Sequence, residues 1–242
     1  MRIADGVYVL PIPRGSREAE GFLSLTLILD DENGNTLVDT GLPAQAGAID
    51  AALGEADIGV RDLGHIILTH QDLDHIGSGA DLVRQSGARV LAHPTDAPYI
   101  EGELSPLKIT PEMLEQRPQM REVLKRLEPV RVDEHLEDGE RLDLAGGIRV
   151  IFTPGHTPGH LSLYLERPKV LVAGDALTAE DGHLNGPNPS MTLDVSEAAR
   201  SVSRLAELDV QAIVCYHGGV VGEDANGQLR RVVQETSSEY GE

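Results

Sequence analysis

Apolar residues recur in short blocks along the chain, and their spacing alternates between strand-like and helix-like periods. "VYVLPIP" (7–13) and "FLSLTLILDDENGNTLVDTG" (22–41) read as strands. Inside the second block "DENGN" places turn residues between two apolar runs, the signature of a hairpin. "AQAGAIDAALGEA" reads as a small-residue helix. "HIILT" (65–69) is a short apolar run with the length of a buried strand. A helix is expected through "IGSGADLVRQSG", stopped by Gly87, and "RVLAH" returns to strand.

Residues 94–128 break this rhythm. "PEMLEQRPQMREVLKRL" is helical in tone, with Met113, Met120, Leu124 and Leu127 near helical spacing and Pro118 as a breaker. The leading expectation is a helix pair packed on the core; a lid or a partner surface is the alternative. From Val130 the strand pattern resumes in "VRVDEHL", "GIRVIFTPGH", "HLSLYLE" and "KVLVAGDAL". "TLDVSEAARSVSRLAEL" is an amphipathic helix, "VQAIVCY" a buried strand and "QLRRVVQETSS" a closing helix. Strands in runs, with helices between and after them, suggest two sheets packed face to face with helices outside. One domain over 1–242 is expected, with 94–128 as a helical insertion.

Composition adds limits. Apolar residues make up 40% and aromatics only 3%, with no Trp, so aliphatic side chains must build the core. The net charge is −20 and the pI about 4.7. The acids are dispersed and mostly solvate the surface, and such a field repels nucleic acid and anionic membranes. A small molecule is the expected partner, and a homodimer is left open. Cys215 is the single cysteine, so no intrachain disulfide is possible, and it reads as a buried small apolar residue. "MRIADGVYVLPIPRG" lacks a secretory apolar region, and no run approaches the ~18 apolar residues of a membrane span. A cytoplasmic location is the expectation.

The candidate chemistry lies where strands end. "LTHQDLDHIGSG" crowds His70, Asp72, Asp74 and His75 into the turn after the "HIILT" strand. Side chains on a loop at a strand end are aimed by a rigid sheet. Alternate residues in an extended turn point one way, so His70 and Asp72 are able to share one metal while Asp74 and His75 face another. Asp74 also reads as a helix N-cap. "TPGHTPGH" ends another strand with His156 and His160, "VLVAGDAL" a third with Asp175, and "AIVCYHGG" a fourth with His217. A carboxylate closing a buried aliphatic strand needs a partner or a cation. Four such ends argue for a shared site. His65 and His93 read as structural, His135 as exposed, and His183 as a surface-loop residue.

This ordered set resembles the metallo-β-lactamase superfamily, whose members carry H-x-H-x-D-H, a distant His in a G-H turn, Asp in a G-D turn and a final His. Here the matching residues are His70, Asp72, Asp74, His75, His156, Asp175 and His217, and "LVDTG" resembles the early strand-turn, with Asp39 supporting the ligands. The resemblance runs from about Gly6 to Gly219. It implies a four-layer αββα sandwich of two mixed sheets flanked by helices. It implies two divalent metal ions, zinc first, with manganese or iron as alternatives. His70, Asp72 and His156 would hold one ion, Asp74, His75 and His217 the other, and Asp175 would bridge them. His160 would stand near the site without ligating.

The departure is Asp72, where the common pattern has His. With two divalent ions, three carboxylates and a bridging hydroxide the charges sum to zero, which is expected to weaken the draw on anionic substrates. A carboxylate there is also expected to widen tolerance for Mn or Fe. The implied activity is hydrolysis of an ester, lactone or thioester by metal-activated hydroxide, with Asp74 as the candidate catalytic residue that orients the nucleophile and relays its proton. Alternatives are a diiron redox or oxygen-handling protein and a glyoxalase-II-like thioesterase. The first is expected to carry a flavodoxin-like domain, for which 242 residues leave no length. The lactonases of the family often place a Tyr shortly after the bridging Asp, where this chain has Thr178.

Overall fold

The structure is a computed structural model and describes residues 1–15 and 21–240. Seven strands form the first sheet in chain order: β1 (Arg2–Ala4), β2 (Val7–Pro13), β3 (Phe22–Ile28), β4 (Asn35–Val38), β5 (Leu63–Ile67), β6 (Arg89–Ala92) and β7 (Glu134–His135). The pairings from β1 to β4 are antiparallel and those from β4 to β7 parallel. The second sheet runs β15 (Gly219–Val221), β14 (Ala212–Cys215), β11 (Val170–Gly174), β10 (Leu161–Leu165), β9 (Ile148–Phe152) and β8 (Arg141–Leu142). Only its β11–β14 pair is parallel. A small hairpin, β12 (Thr178–Glu180) with β13 (His183–Asn185), stands apart.

The strand period of two sorts side chains into three apolar layers. On β11, Val170 and Val172 face the other sheet while Leu171 and Ala173 face the helices outside. On β2, Val7 and Val9 join that inter-sheet layer and Leu10 and Ile12 the opposite one. Helices α1 (Ala46–Leu53) and α3 (Gly79–Ser86) cover the outer face of the first sheet through Ile49, Leu53 and Leu82. Helices α7 (Val195–Leu205) and α8 (Ala225–Tyr240) cover the second through Val202, Leu205, Leu229 and Val232. Three apolar layers between four structural ones make the expected αββα sandwich. The expected hairpin is present: Asp30 Oδ1 accepts from the backbone of Glu32 and Asn33 at 3.0 and 3.1 Å. Gly87 ends α3 with φ +72°, as the chain pattern predicts.

Two expectations need correction. The helix expected through 76–87 is split into α2 (Leu73–Ile76) and α3, and Asp72, not Asp74, holds the N-cap position of α2, without a side-chain cap bond. The cap reading of Asp74 therefore falls. Residues 94–128 fold as α4 (Ala97–Ile100), α5 (Pro111–Gln116) and α6 (Met120–Leu124), with Pro118 between the last two. Neither α5 nor α6 buries a residue, so this pair does not pack into the core as expected. Its four spaced apolar residues are too few to cover a helix stripe.

Candidate metal centre

Parallel strands bring their C-terminal ends to one edge, and that is where the polar residues gather. β4, β5 and β6 end before Asp39, His70 and Asp96; β11 and β14 end before Asp175 and His217. The β9–β10 connection adds His156 and His160. Backbone bonds strap these ends together: Leu161 N–H donates to Thr69 O at 2.9 Å, Thr40 N–H to His75 O at 2.7 Å, and Ser24 N–H to Tyr216 O at 2.9 Å.

All seven candidate residues meet at this edge. Donor atoms of His70, His156 and Asp175 lie within 4.8 Å of one another, as do those of Asp74, His75 and His217. Asp175 reaches both groups. Its Oδ1 is 3.4 Å from His75 Nε2, and its Oδ2 is 3.3 Å from His156 Nε2 and 3.4 Å from His217 Nε2. Asp74 Oδ2 is 3.4 Å from His217 Nε2. Asp72 Oδ2 is 3.4 Å from His70 Nε2 and 3.0 Å from His156 Nε2. Donors around a tetrahedral Zn²⁺ at about 2.1 Å stand about 3.4 Å from each other, so the spacing suits a shared cation.

The hydrogen bonds behind the imidazoles aim their lone pairs inward. Asp39, fully buried, accepts from Thr69 N–H at 2.9 Å and pairs with His75 Nδ1 at 2.9 Å. The Thr69 hydroxyl donates to Asp39, and His70 Nδ1–H donates to Thr69 Oγ1 at 3.0 Å. Both rings are thereby held with a bare Nε2 turned to the centre. His70 Nε2, His75 Nε2 and Asp175 Oδ1 are buried and have no hydrogen-bond partner. Buried polar atoms left without a partner are rare and costly, and electron-rich atoms facing each other call for a positive charge. Burial works against charge on His75, yet Asp39 and Asp175 hold its pKa well above the ordinary imidazole value. Burial likewise opposes charge on Asp175, but His75, His217 and His156 keep its pKa well below the usual carboxylate value. The negative charge of Asp39 and Asp175 that favours a proton there also favours a metal ion. The donor set therefore fits the implied cations.

Several neighbours position this set. His160 Nε2 accepts from Asp175 N–H at 2.9 Å, which leaves its Nδ1–H to donate to Thr153 Oγ1 at 2.8 Å. It supports Asp175 with both of its ring nitrogens engaged. Gly174 has φ +55°, and a Cβ there would fall 2.7 Å from His160 Nε2, so a glycine is required. The Tyr216 ring lies 3.8 Å from that of His75, and its hydroxyl donates to Asp74 O. Cys215 is fully buried, and burial pushes its thiol pKa up, which disfavours a nucleophilic role. His93 stacks on Phe152 at 4.3 Å, His135 and His183 are exposed, and Thr178 donates to Gly186 O at 3.1 Å.

Two site residues are not visible in the chain pattern. Asp96 is fully buried and joins the two ligand loops: it accepts from Gln71 N–H at 3.0 Å, Gly159 N–H at 2.8 Å, Gln71 Nε2 at 3.3 Å and Thr157 Oγ1 at 2.7 Å. Lys108, from the stretch between α4 and α5, places Nζ 2.6 Å from Asp72 Oδ2 and 2.7 Å from His156 Nε2. Among the described residues it is the one ammonium or guanidinium paired with the carboxylates of the site. Its charge offsets that of Asp72 in this structure. The only local signal was a lone basic residue in "SPLKIT".

Comparison with known proteins agrees with this geometry. A family model described as the metallo-beta-lactamase superfamily matches residues 19–217. The chain belongs to that superfamily. It is 30% identical over 218 residues to the "Probable metallo-hydrolase YflN" of Bacillus subtilis (strain 168), covering 84% of this chain and 82% of that protein. A metallo-beta-lactamase family protein of Thermus thermophilus superposes with a TM-score of 0.76 at 28% identity, over 97% of this chain and 79% of its own. The hydroxyacylglutathione hydrolase of Methylococcus capsulatus is 26% identical over 206 residues, 81% of this chain and 66% of that enzyme. As a superfamily member the chain is a metallo-hydrolase with His and Asp groups suited to divalent metal. No helix among the described residues is long and apolar enough to cross a membrane.

Proposed function

We propose that this superfamily member hydrolyses an ester, lactone or thioester through a two-metal centre built by His70, Asp72, Asp74, His75, His156, Asp175 and His217. The observation that carries the reading is the placement of Asp175, whose two oxygens face donors of both groups. Bound ions of this kind make water nucleophilic near neutral pH and polarise a carbonyl oxygen.

The chain's own groups would do the rest. Asp74 is the candidate proton acceptor, because its carboxylate is partly open to solvent and lies beside His217. Tyr216 fixes the backbone carbonyl of Asp74, and Asp39 fixes the ring of His75. A cleft of about 310 Å³ opens beside Leu73, the neighbour of Asp72, and is lined by Leu42, Pro43, Met120, Val123, Arg14 and Arg126. None of the seven donors lines this cleft. The thioesterase variant of the reading gains from the similarity to a hydroxyacylglutathione hydrolase.

The test is a hydrolysis panel with the protein reconstituted in zinc, manganese or iron: lactones of several ring sizes, aryl esters, thioesters and, as a contrast, phosphodiesters. The reading expects carbonyl substrates to turn over and Asp175→Ala to lose at least a thousandfold. Turnover that survives Asp175→Ala, or confined to phosphodiesters, refutes it.

A further inference from the structure

We propose that Lys108 is a tethered competitor for the first metal ion, so that loading of His70, Asp72 and His156 requires this lysine to withdraw. The inference rests on the metal-centre reading above and deepens it.

The ammonium already uses the atoms that ion needs. Lys108 Nζ is 2.6 Å from Asp72 Oδ2 and 2.7 Å from His156 Nε2. An imidazole nitrogen has one lone pair in the ring plane. His156 Nε2 therefore accepts from the ammonium or donates to a metal, and does not do both. Asp72 makes the pairing favourable. A carboxylate balances the ammonium charge, whereas the imidazole of the common motif would offer only a lone pair. The aspartate substitution and the lysine thus form one device.

The tether is built to move. Lys108 and Asp72 are largely buried, with side chains 13% and 14% exposed. The chain before Lys108 is not: Glu103, Leu104, Ser105 and Leu107 are exposed. The local anchor is Leu107 N–H, which donates to Gln71 Oε1 at 3.1 Å. Segments with few buried contacts open at low cost. The second group, Asp74, His75 and His217, has no such competitor among the described residues. The two positions should therefore fill unequally, and filling the first should loosen residues 104–110.

The experiment titrates metal-free full-length protein with Zn²⁺ and, separately, Mn²⁺ by calorimetry, with bound metal counted by mass spectrometry. Lys108→Met and Lys108→Gln are compared with wild type, and amide exchange of 104–110 is followed through the titration. The expected result is two unequal sites in wild type. Both variants tighten the weaker site at least tenfold and leave the stronger within twofold. Exchange at 104–110 in wild type rises with the second equivalent. Two ions bound with the same affinities in all three proteins, or weaker binding in the variants, overturns the inference alone. Absence of bound ion in every protein overturns the metal-centre reading and the inference with it.

Discussion

Removing the Asp96 side chain should separate the two loops that carry His70, Asp72 and His156. Its two oxygens accept from Gln71 N–H, Gln71 Nε2, Gly159 N–H and Thr157 Oγ1 at 2.7–3.3 Å. In Asp96→Ala the two backbone donors, both on buried residues, lose their acceptor. A buried donor left unsatisfied costs about 1–3 kcal/mol, and a Thr hydroxyl rotates more easily to another partner. The gross loss over two such donors is then about 2–6 kcal/mol. Against it stands the cost of burying the carboxylate, since burial pushes the Asp96 pKa up despite its four donors. We expect a net loss of about 2–4 kcal/mol, a large share of the ~5–15 kcal/mol that holds a typical domain. Asp96→Asn keeps the volume and one accepting oxygen and should lose about half as much. Urea unfolding of the metal-free protein followed by circular dichroism measures both. Zinc affinity of the folded variants should fall at least tenfold as the loops drift. Asp96→Ala within about 0.5 kcal/mol of wild type (a threshold set by the ~0.5–1.5 kcal/mol of one hydrogen bond), with zinc affinity unchanged, would refute this reasoning.

Asp39→Asn should weaken metal binding about 10–100-fold, the usual effect of losing a carboxylate behind a ligand histidine. Asn tolerates the φ of +64° at this position. Its amide, however, must either face the Thr69 N–H or donate to His75 Nδ1 and so drive the ring proton to Nε2. A competition assay with a chromophoric chelator reads the change, and wild-type affinity would speak against it. Asp30, whose pKa is lowered to about 2, belongs to the hairpin and accepts from Ala145 N–H, in the turn between β8 and β9, at 2.7 Å. Burial opposes this shift and the bonds from Ala145, Asn33 and Glu32 overcome it. Its contribution is complete above the ordinary value of 3.8 and is lost as pH falls through about 2. After solvent screening it is about 1 kcal/mol. The stability gap between wild type and Asp30→Ala should shrink by that amount from about pH 5 to about pH 2, and a constant gap would contradict it.

The parts of this molecule that sequence reveals are those written locally. The continuous apolar run in "KVLVAGDAL" names a strand buried on both faces, and the structure sorts its residues to two apolar layers. The four strand-end motifs are local too, which is why the seven candidate residues stand out before any coordinates. Asp96 is different. It directly precedes α4 and holds that helix's N-cap position, but its side chain makes no cap bond and reaches loops 25 and 63 residues away. Lys108 pairs with a residue 36 positions upstream, from a stretch without periodicity. Nothing in a neighbouring residue encodes such contacts; the topology of the sheets creates them. The insertion misled for a related reason, because spaced methionines and leucines mark a helix but do not say whether a partner surface lies beside it.

Crystals of the zinc-reconstituted protein, measured at the zinc absorption edge, test the central claim most directly. The account predicts two anomalous peaks, one touching Asp74, His75 and His217, the other His70, Asp72 and His156, with Asp175 reaching both. A difference map free of any peak between these side chains, with zinc bound only to surface carboxylates, would contradict it.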